Sequence, residues 1–369
     1  MTYWLPPISY YTSMKIRHYT PRISLLILVA GCCYTAASAQ ITGGQHVFQF
    51  MTLPASARIS AMGGVQIAVQ DDDVSFAAAN PAALNPAMSG RLTFQHSFYL
   101  ADLQTGYAAG AWYLPKSRFT VHGGVQYMKY GEIKRANEFG DITGVVNAAE
   151  SAITLGAARP LTKRLSLGLN ARMGFSTLDI YKASALAADV GLMYADTARL
   201  IAFGIVARNL GTQMGTYQNT REYLPYDLQI GFTKRLKHLP FRFGVMAHRL
   251  QQWNTRYNDP NAVEETFLSF DDNQSQKKKG NATVDNFFRH LVFNGEFLLG
   301  SNEAFRIRVG YNHLRKRELS VRNYRSLAGF SGGVGLKINR FRIDVGYASY
   351  HLGGSTLHVG IGTNLKEFF

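Results

Sequence analysis

Three consecutive carboxylates, Asp71, Asp72 and Asp73, interrupt an otherwise apolar, glycine-containing stretch, PASARISAMGGVQIAVQDDDVSFAAANPAALNP, that begins at Pro54. Clustered carboxylates offer three kinds of chemistry. They ligate calcium where oxygens recur at alternate positions around an invariant glycine, but the spacing of an EF-hand loop is absent here. They form turns, because aspartate hydrogen-bonds its own backbone two residues on, and a solvated turn after the short strand pattern VQIAV is the plainest reading. They also pair with arginine. Arg172, Arg242, Arg306, Arg308 and Arg342 all fall on one face of alternating segments further along the chain. On that third reading an aspartate that reaches one of these guanidinium groups latches its segment in place.

The remaining reactive side chains assemble no site. The ten histidines are scattered, with His122, His248 and His358 alternating with apolar neighbours, and no serine, histidine and acid trio forms without arbitrary choice. The run GFSGGVG, Gly329 to Gly335, has the composition of a phosphate loop, but it lies in an alternating segment with no following helix. Glycine on the inner face of a strand, or a strand kink, is expected there. Both cysteines, Cys32 and Cys33, precede residue 40. We therefore expect a non-enzymatic protein with no catalytic residues, no cofactor and no metal site.

The first 39 residues carry Lys15, Arg17 and Arg22, then the apolar run ISLLILVAG from Ile23, then Ala37-Ser38-Ala39. That order is the order of a secretory signal and its cleavage site, with Met14 as an alternative start. Val29-Ala30-Gly31-Cys32 also has the form of a lipobox, which leaves lipidation at Cys32 open beside cleavage after Ala39. The run is too short for a membrane-crossing helix of ~20 residues, and no longer apolar run follows it. The formal charge is +15, and removing the three basic residues of the leader leaves +12. For an exported chain that balance points to an anionic surface or partner outside the cytoplasm rather than to nucleic acid.

From Arg91 onward the chain divides into segments of roughly 10 residues with period-two alternation, the signature of an outer-membrane barrel. In RLSLGLNARMGFS, from Arg164, the residues Leu165, Leu167, Leu169, Ala171, Met173 and Phe175 oppose Ser166, Gly168, Asn170, Arg172 and Gly174. Phe305 to Asn312 and Thr356 to Leu365 alternate in the same way. Fourteen segments are expected, beginning near residues 91, 104, 117, 151, 164, 183, 198, 226, 240, 286, 303, 327, 340 and 355. The polar face, rich in glycine, suits a narrow wet lumen. Short joins (PKS, LTK, DTA, KHL, SNE, NR) alternate with longer ones near 131–150, 209–225, 251–285 and 315–326. That asymmetry places turns and both termini in the periplasm and the long loops outside. The chain ends in Phe368-Phe369, an expected insertion signal. The organisation is thus a signal peptide over 1–39, a plug or hatch segment over 40–90 that starts in the periplasm and folds up into the barrel, and an all-β, fourteen-stranded antiparallel transmembrane barrel over 91–369.

The segment before the barrel carries Ser56, Ala57, Arg58, Ala61, Met62, Gly63, Gly64, Ala68, Val69, Asp71 and Asp72, followed by Asn80-Pro81-Ala82. This pattern resembles the N-terminal hatch of the fourteen-stranded family that includes the FadL fatty-acid channels and the PorV and PorQ barrels of the type IX secretion system. The opening GGQHVFQFMTLPASARISAMGGVQIAV, from Gly43, is most similar to the PorQ branch. The resemblance implies an outer-membrane barrel of Bacteroidetes. It would anchor a PorZ-like surface protein in a complex with the PorU sortase and PorV, which attaches cargo to anionic lipopolysaccharide. The alternative is a FadL-like channel for hydrophobic compounds, which would need an apolar pocket at the hatch and a lateral gap in the wall. An open diffusion porin would need no hatch. For a docking role, the loop over 251–285, with Trp253, Tyr257 and Phe267, and the loop over 209–225 are the candidate contacts.

Overall fold

The computed structural model describes residues 46–256, 282–300, 303–320, 326–351 and 353–368. The leader, Cys32, Tyr257, Phe267 and Phe369 lie outside them. The wall begins with β1 (Arg91–Phe98), β2 (Gln104–Leu114) and β3 (Phe119–Lys129), and a projecting hairpin of β4 (Ile133–Ala136) and β5 (Ile142–Val146) follows. It continues through β6 (Ala148–Pro160), β7 (Leu165–Leu178), β8 (Tyr181–Asp196), β9 (Ile201–Gly215), β10 (Asp227–Arg235) and β11 (Phe241–Ala247). It ends with β12 (Leu291–Leu299), β13 (Phe305–Asn312), β14 (Phe330–Ile338), β15 (Phe341–His351) and β16 (Gly354–Asn364). Leaving out the β4–β5 hairpin, these strands form one closed antiparallel barrel. β1 meets β16 from Arg91 opposite Asn364 to Phe98 opposite Leu357.

The fourteen wall strands are those the alternation predicts. The tenth begins later than expected, because the helix α2 (Ala282–Arg289) occupies the residues before Leu291. Two other joins carry order that periodicity could not reveal. The stretch 131–150 holds the β4–β5 hairpin, and the helix α3 (His313–Leu319) follows β13. The join over 209–225 is shorter than expected, since β9 runs on to Gly215. Its end turns inward, burying Leu224 against Phe48, Phe50 and Met51.

The alternation sorts side chains as a bilayer requires. On β7, Ser166, Asn170 and Arg172 are buried inside while Leu167, Leu169, Met173 and Phe175 are exposed outside. Exposed apolar residues continue around the wall, among them Phe94, Trp112, Leu155, Val190, Ile205, Ile230, Val309, Val334 and Val359. On a water-soluble protein the largest apolar patch covers roughly 300–600 Å², whereas here the apolar surface rings the barrel, as lipid-facing strands demand. Toward the short-turn end, aromatic rings pack in a row: Phe203 lies 4.7 Å from Phe232, and Phe241 lies 4.6 Å from Phe297. Such a band suits the lipid–water interface.

The interior is filled by residues 46–90. A short helix α1 (Ala57–Ala61) and several 3₁₀ turns pack against the inner wall. The inward glycines do not face water, which corrects the expectation of a wet lumen. A Cβ on Gly168 would collide with the backbone of Pro81 and Ala82, one on Gly310 with Met62 and Gly63, and one on Gly346 with Ala57. Gly333, within the GFSGGVG run, likewise abuts Ala61. Glycine is present because backbone packs directly on backbone there.

The first described residues sit at the long-loop end: His46 bridges to Tyr223, and the Val47 N–H donates to the Tyr223 carbonyl at 3.1 Å. Burial of Phe48, Phe50 and Met51 against Met128 and Leu224 holds them there. The chain then descends to Asp71 before reaching β1 at the short-turn end.

Replacing Gly168 with valine should therefore push the segment off β7, at a cost of about 1–3 kcal/mol. The temperature at which the folded gel band of the barrel disappears should fall, whereas Ala171→Val on the lipid face of the same strand should leave it nearly unchanged.

Candidate functional site

Local sequence sets the geometry of the segment that fills the lumen. Ser56 caps α1, its hydroxyl accepting the Ile59 N–H at 3.2 Å, the usual role of serine at a helix start. Gly63 and Gly64 end the helix with φ of 87° and 83°, values that favour glycine. The turn is pinned to the wall by the Gly63 N–H donating to Ser331 Oγ at 2.9 Å and by Asn312 Nδ2 donating to the Gly63 carbonyl at 3.2 Å. Asn80 is fully buried. Its Oδ1 accepts the Ala82 N–H at 3.0 Å and its Nδ2 donates to the Ile67 carbonyl at 3.0 Å. Pro81 therefore opens a 3₁₀ turn behind an extended Asn80, and Asn85-Pro86-Ala87 repeats the device. Gln95 Oε1 receives the Ala57 N–H at 3.1 Å.

These elements deliver one buried guanidinium, Arg58, to the short-turn end of the lumen. It makes a two-point contact with Glu296 of β12, Nε to Oε1 at 3.1 Å and Nη2 to Oε2 at 3.0 Å. It also donates to Asp71 at 2.7 Å and to Asp73 at 3.3 Å, and it lies 4.8 Å over the Phe76 ring. Around this centre stand five wall arginines. Arg308 bonds Glu296 at 2.8 Å and Asp344 at 2.6 Å. Arg242 lies 3.3 Å from Glu296 and 3.7 Å from Asp71. Arg306 lies 3.7 Å from Asp71 and bonds Glu303 at 3.1 Å. Arg342 bonds Asp72 at 3.0 Å, and Arg91 reaches the other oxygen of Asp72 at 2.5 Å.

The aspartate triplet thus divides its work. Asp73 caps a turn, accepting the Ser75 N–H at 3.0 Å and the Ser75 hydroxyl at 2.7 Å. Asp71 and Asp72 face arginines, and a carboxylate ringed by guanidinium groups is a poor calcium ligand. No cluster of three metal-ligating side chains occurs among the described residues. The turn is not a solvated one, since the three side chains are only 14%, 22% and 11% exposed.

Of the five arginines singled out from the sequence, Arg242, Arg306, Arg308 and Arg342 gather here. Arg172 does not. It sits on β7, pairs with Asp189 of β8 at 2.8 Å and donates to the Ala78 carbonyl. The wall acids Glu296, Asp344 and Asp189 and the arginine Arg91 were missed. The same inward alternation that marks the arginines marks Glu296 and Asp344, so the signal was present. His122, His248 and His358 are all buried, with His122 Nε2 2.9 Å from Asn170 Oδ1. Trp253 lies at the opposite end, stacked 5.1 Å from His290, far from the charge cluster.

Electrostatics hold Asp71 and Asp72 ionised. Burial alone would raise Asp71, but Arg58, Arg306 and Arg242 together keep it well below the usual carboxylate range. Asp72 is lowered too, burial being outweighed by Arg342 and Arg91. Burial disfavours the charge of Arg58, and Asp71, Glu296 and Asp73 more than restore it. Removing one partner of a buried pair costs about 3–5 kcal/mol, because the other charge is left uncompensated. Arg58→Ala, or alanine at Asp71, Asp72 and Asp73 together, should therefore free the segment and raise single-channel leak in planar bilayers. Unchanged conductance in both variants would remove the latch. Depressed carboxylates contribute fully above the ordinary carboxylate pKa of ~3.9 and lose their contribution only below it. Leak should accordingly stay flat from about pH 8 to 5 and rise only in stronger acid.

No protein-family model matches this chain, and no curated protein matches it. Among solved structures, it is similar to the toluene transporter TodX of Pseudomonas putida, with a TM-score of 0.51 and 10% identity over 84% of this chain and 96% of that one. The monoaromatic hydrocarbon channel CymD gives 0.49 and 12% over 85% and 98% of the two chains. A FadL homologue of Pseudomonas aeruginosa gives 0.48 and 10% over 84% and 98%. TodX is named as a transporter and CymD as a channel. At such identities the likeness to TodX is one of fold, and with the apolar ring it makes this protein a fourteen-stranded barrel of the outer-membrane type.

Proposed function

We propose that this barrel is sealed in its resting state and acts as a membrane-embedded platform, its long-loop end presenting a docking surface to a partner outside the cell. The observation that carries this reading is the chemistry of the interior. Arg58 locks the lumenal segment to the wall through Glu296, and glycine-lined strands close on its backbone. The void beside Leu53, Pro54, Ala55, Ile59, Ala78 and Ala79 measures about 10 Å³, room for about one water. The resemblance of residues 43 to 70 to the PorQ branch names the partner: a PorZ-like surface protein, in an assembly with PorU and PorV that attaches cargo to lipopolysaccharide. On this reading the termini of the barrel domain face the periplasm and the long loops face outward.

A second reading, an outer-membrane channel for hydrophobic compounds, is supported by the fold shared with TodX, and the solved-structure likenesses speak for it more than for the platform. The register shift between β8 and β9 near Ala188 and Val190 is a wall irregularity of the kind a lateral exit would need.

Purification of the tagged protein from detergent-solubilised outer membranes separates the two. Recovery of a large soluble surface protein, lost when 209–225 or 251–285 is shortened, is the expected result. Recovery of the barrel alone with a bound fatty acid or monoaromatic compound would replace the platform with the channel.

A further inference from the structure

The long-loop end of the lumen holds a cavity of about 540 Å³, within the range of roughly 300–1,000 Å³ typical of small-molecule sites. It is separate from the charge cluster at the other end and takes no part in sealing the barrel. Its floor is the Gly64 turn, and its walls come from β9, β10, the residues after β11, and α3.

The lining is polar and its cations are only partly answered. Arg208, Arg249 and Arg315 line the cavity with two carboxylates, Asp227 and Glu318. Asp227 is already engaged, one oxygen accepting the Arg249 backbone N–H at 2.7 Å and the other accepting Gln229 Nε2 at 2.6 Å. Glu318 approaches Arg249 only to 3.9 Å. Arg315 lies over Gly64 and 4.4 Å above the Tyr350 ring. Among the described residues no carboxylate stands within ion-pair distance of Arg315 or Arg208. Arg208 donates to the Met51 carbonyl at 3.1 Å, while its Nε–H has no partner.

Two further atoms point the same way. His248 Nε2 and Gln229 Oε1 lack hydrogen-bond partners, although the residues are only 6% and 2% exposed. Buried polar atoms are nearly always satisfied, and the cavity that these side chains line is where water or a polar solute would pair them after a small side-chain shift. A solute there must offer negative charge to the guanidinium groups and small polar groups to His248, Gln229 and Glu318. An apolar solute would leave all of them unpaired.

We propose that this cavity binds a small anionic, polyhydroxylated solute of the sugar-acid class, with its carboxylate or phosphate among Arg208, Arg249 and Arg315 and its hydroxyls on Gln229, His248 and Glu318. Pro225, Gln251 and Gln252 of the candidate docking loops also line the cavity, but none of the six ligand-binding side chains lies in those loops, and the site does not use Arg58.

Calorimetric titration of the full barrel in detergent with glucuronate, and with glucose as the uncharged counterpart, tests it. Glucuronate should bind saturably and glucose at least about tenfold more weakly, a difference of one charged contact set. Arg249→Gln with Arg315→Gln should weaken glucuronate about tenfold, with folding checked by the heat-dependent gel shift. Arg249→Gln alone, at the exposed rim, serves if the pair does not fold. Arg164→Gln, on the far turn, should leave binding unchanged. Absence of saturable binding, glucose binding as tight as glucuronate, an unaltered Kd in the folded rim variant, or an equal loss in Arg164→Gln would each overturn the site.

Discussion

A guanidinium group almost without access to water must be paired, or the fold that buries it loses several kcal/mol. Arg58, 1% exposed, imposes that condition on the whole interior. Its four contacts come from two distant parts of the chain, the Asp71–Asp73 turn and the β12 residue Glu296. The segment must therefore fold back on itself and meet the wall at one height for any of them to form. Glu296 in turn needs Arg308 and Arg242, and Arg308 needs Asp344. The register of β11, β12, β13 and β15 is thereby tied to a five-residue helix that has little stability of its own.

The inner glycines are the steric counterpart of this network. Ion pairs specify position but add little net stability once desolvation is counted, so the attachment also rests on close packing. Removing Cβ atoms from the wall lets Pro81, Gly63 and Ala57 approach it at backbone distance. Apolar side chains such as Ile67, Phe76 and Met246 fill the space between. The result is a lumen dry in its middle and polar at its mouths. The fold itself is shared with the toluene transporter TodX.

The long-loop end follows different rules from the membrane belt. Strands β7, β8 and β9 run to 14, 16 and 15 residues, beyond the ~9–11 that cross a bilayer. They carry the wall past the lipid and leave room for the inward fold of Leu224, the α2 and α3 helices and the polar cavity. Nothing in a strand alternation marks such features, because these residues satisfy local burial against one another rather than a repeating environment.

By itself the sequence determined the wall: its strand number, its inward and outward faces, and the inward position of Arg242, Arg306, Arg308 and Arg342. A strand between lipid and an enclosed interior must alternate residue by residue, so the pattern is local and readable. The aspartate triplet was legible as a choice among turn, metal and ion pair. Only the tertiary structure decided among them, because the choice depends on which guanidinium groups, from the nearby Arg58 and Arg91 to the distant Arg242, Arg306 and Arg342, stand beside each carboxylate. It also decided that Arg172 belongs to a different pair, that the inner glycines accommodate protein rather than water, and that residues 46 to 51 lie at the long-loop end. Each of those outcomes is a contact between parts of the chain whose order in sequence carries no record of their distance in space.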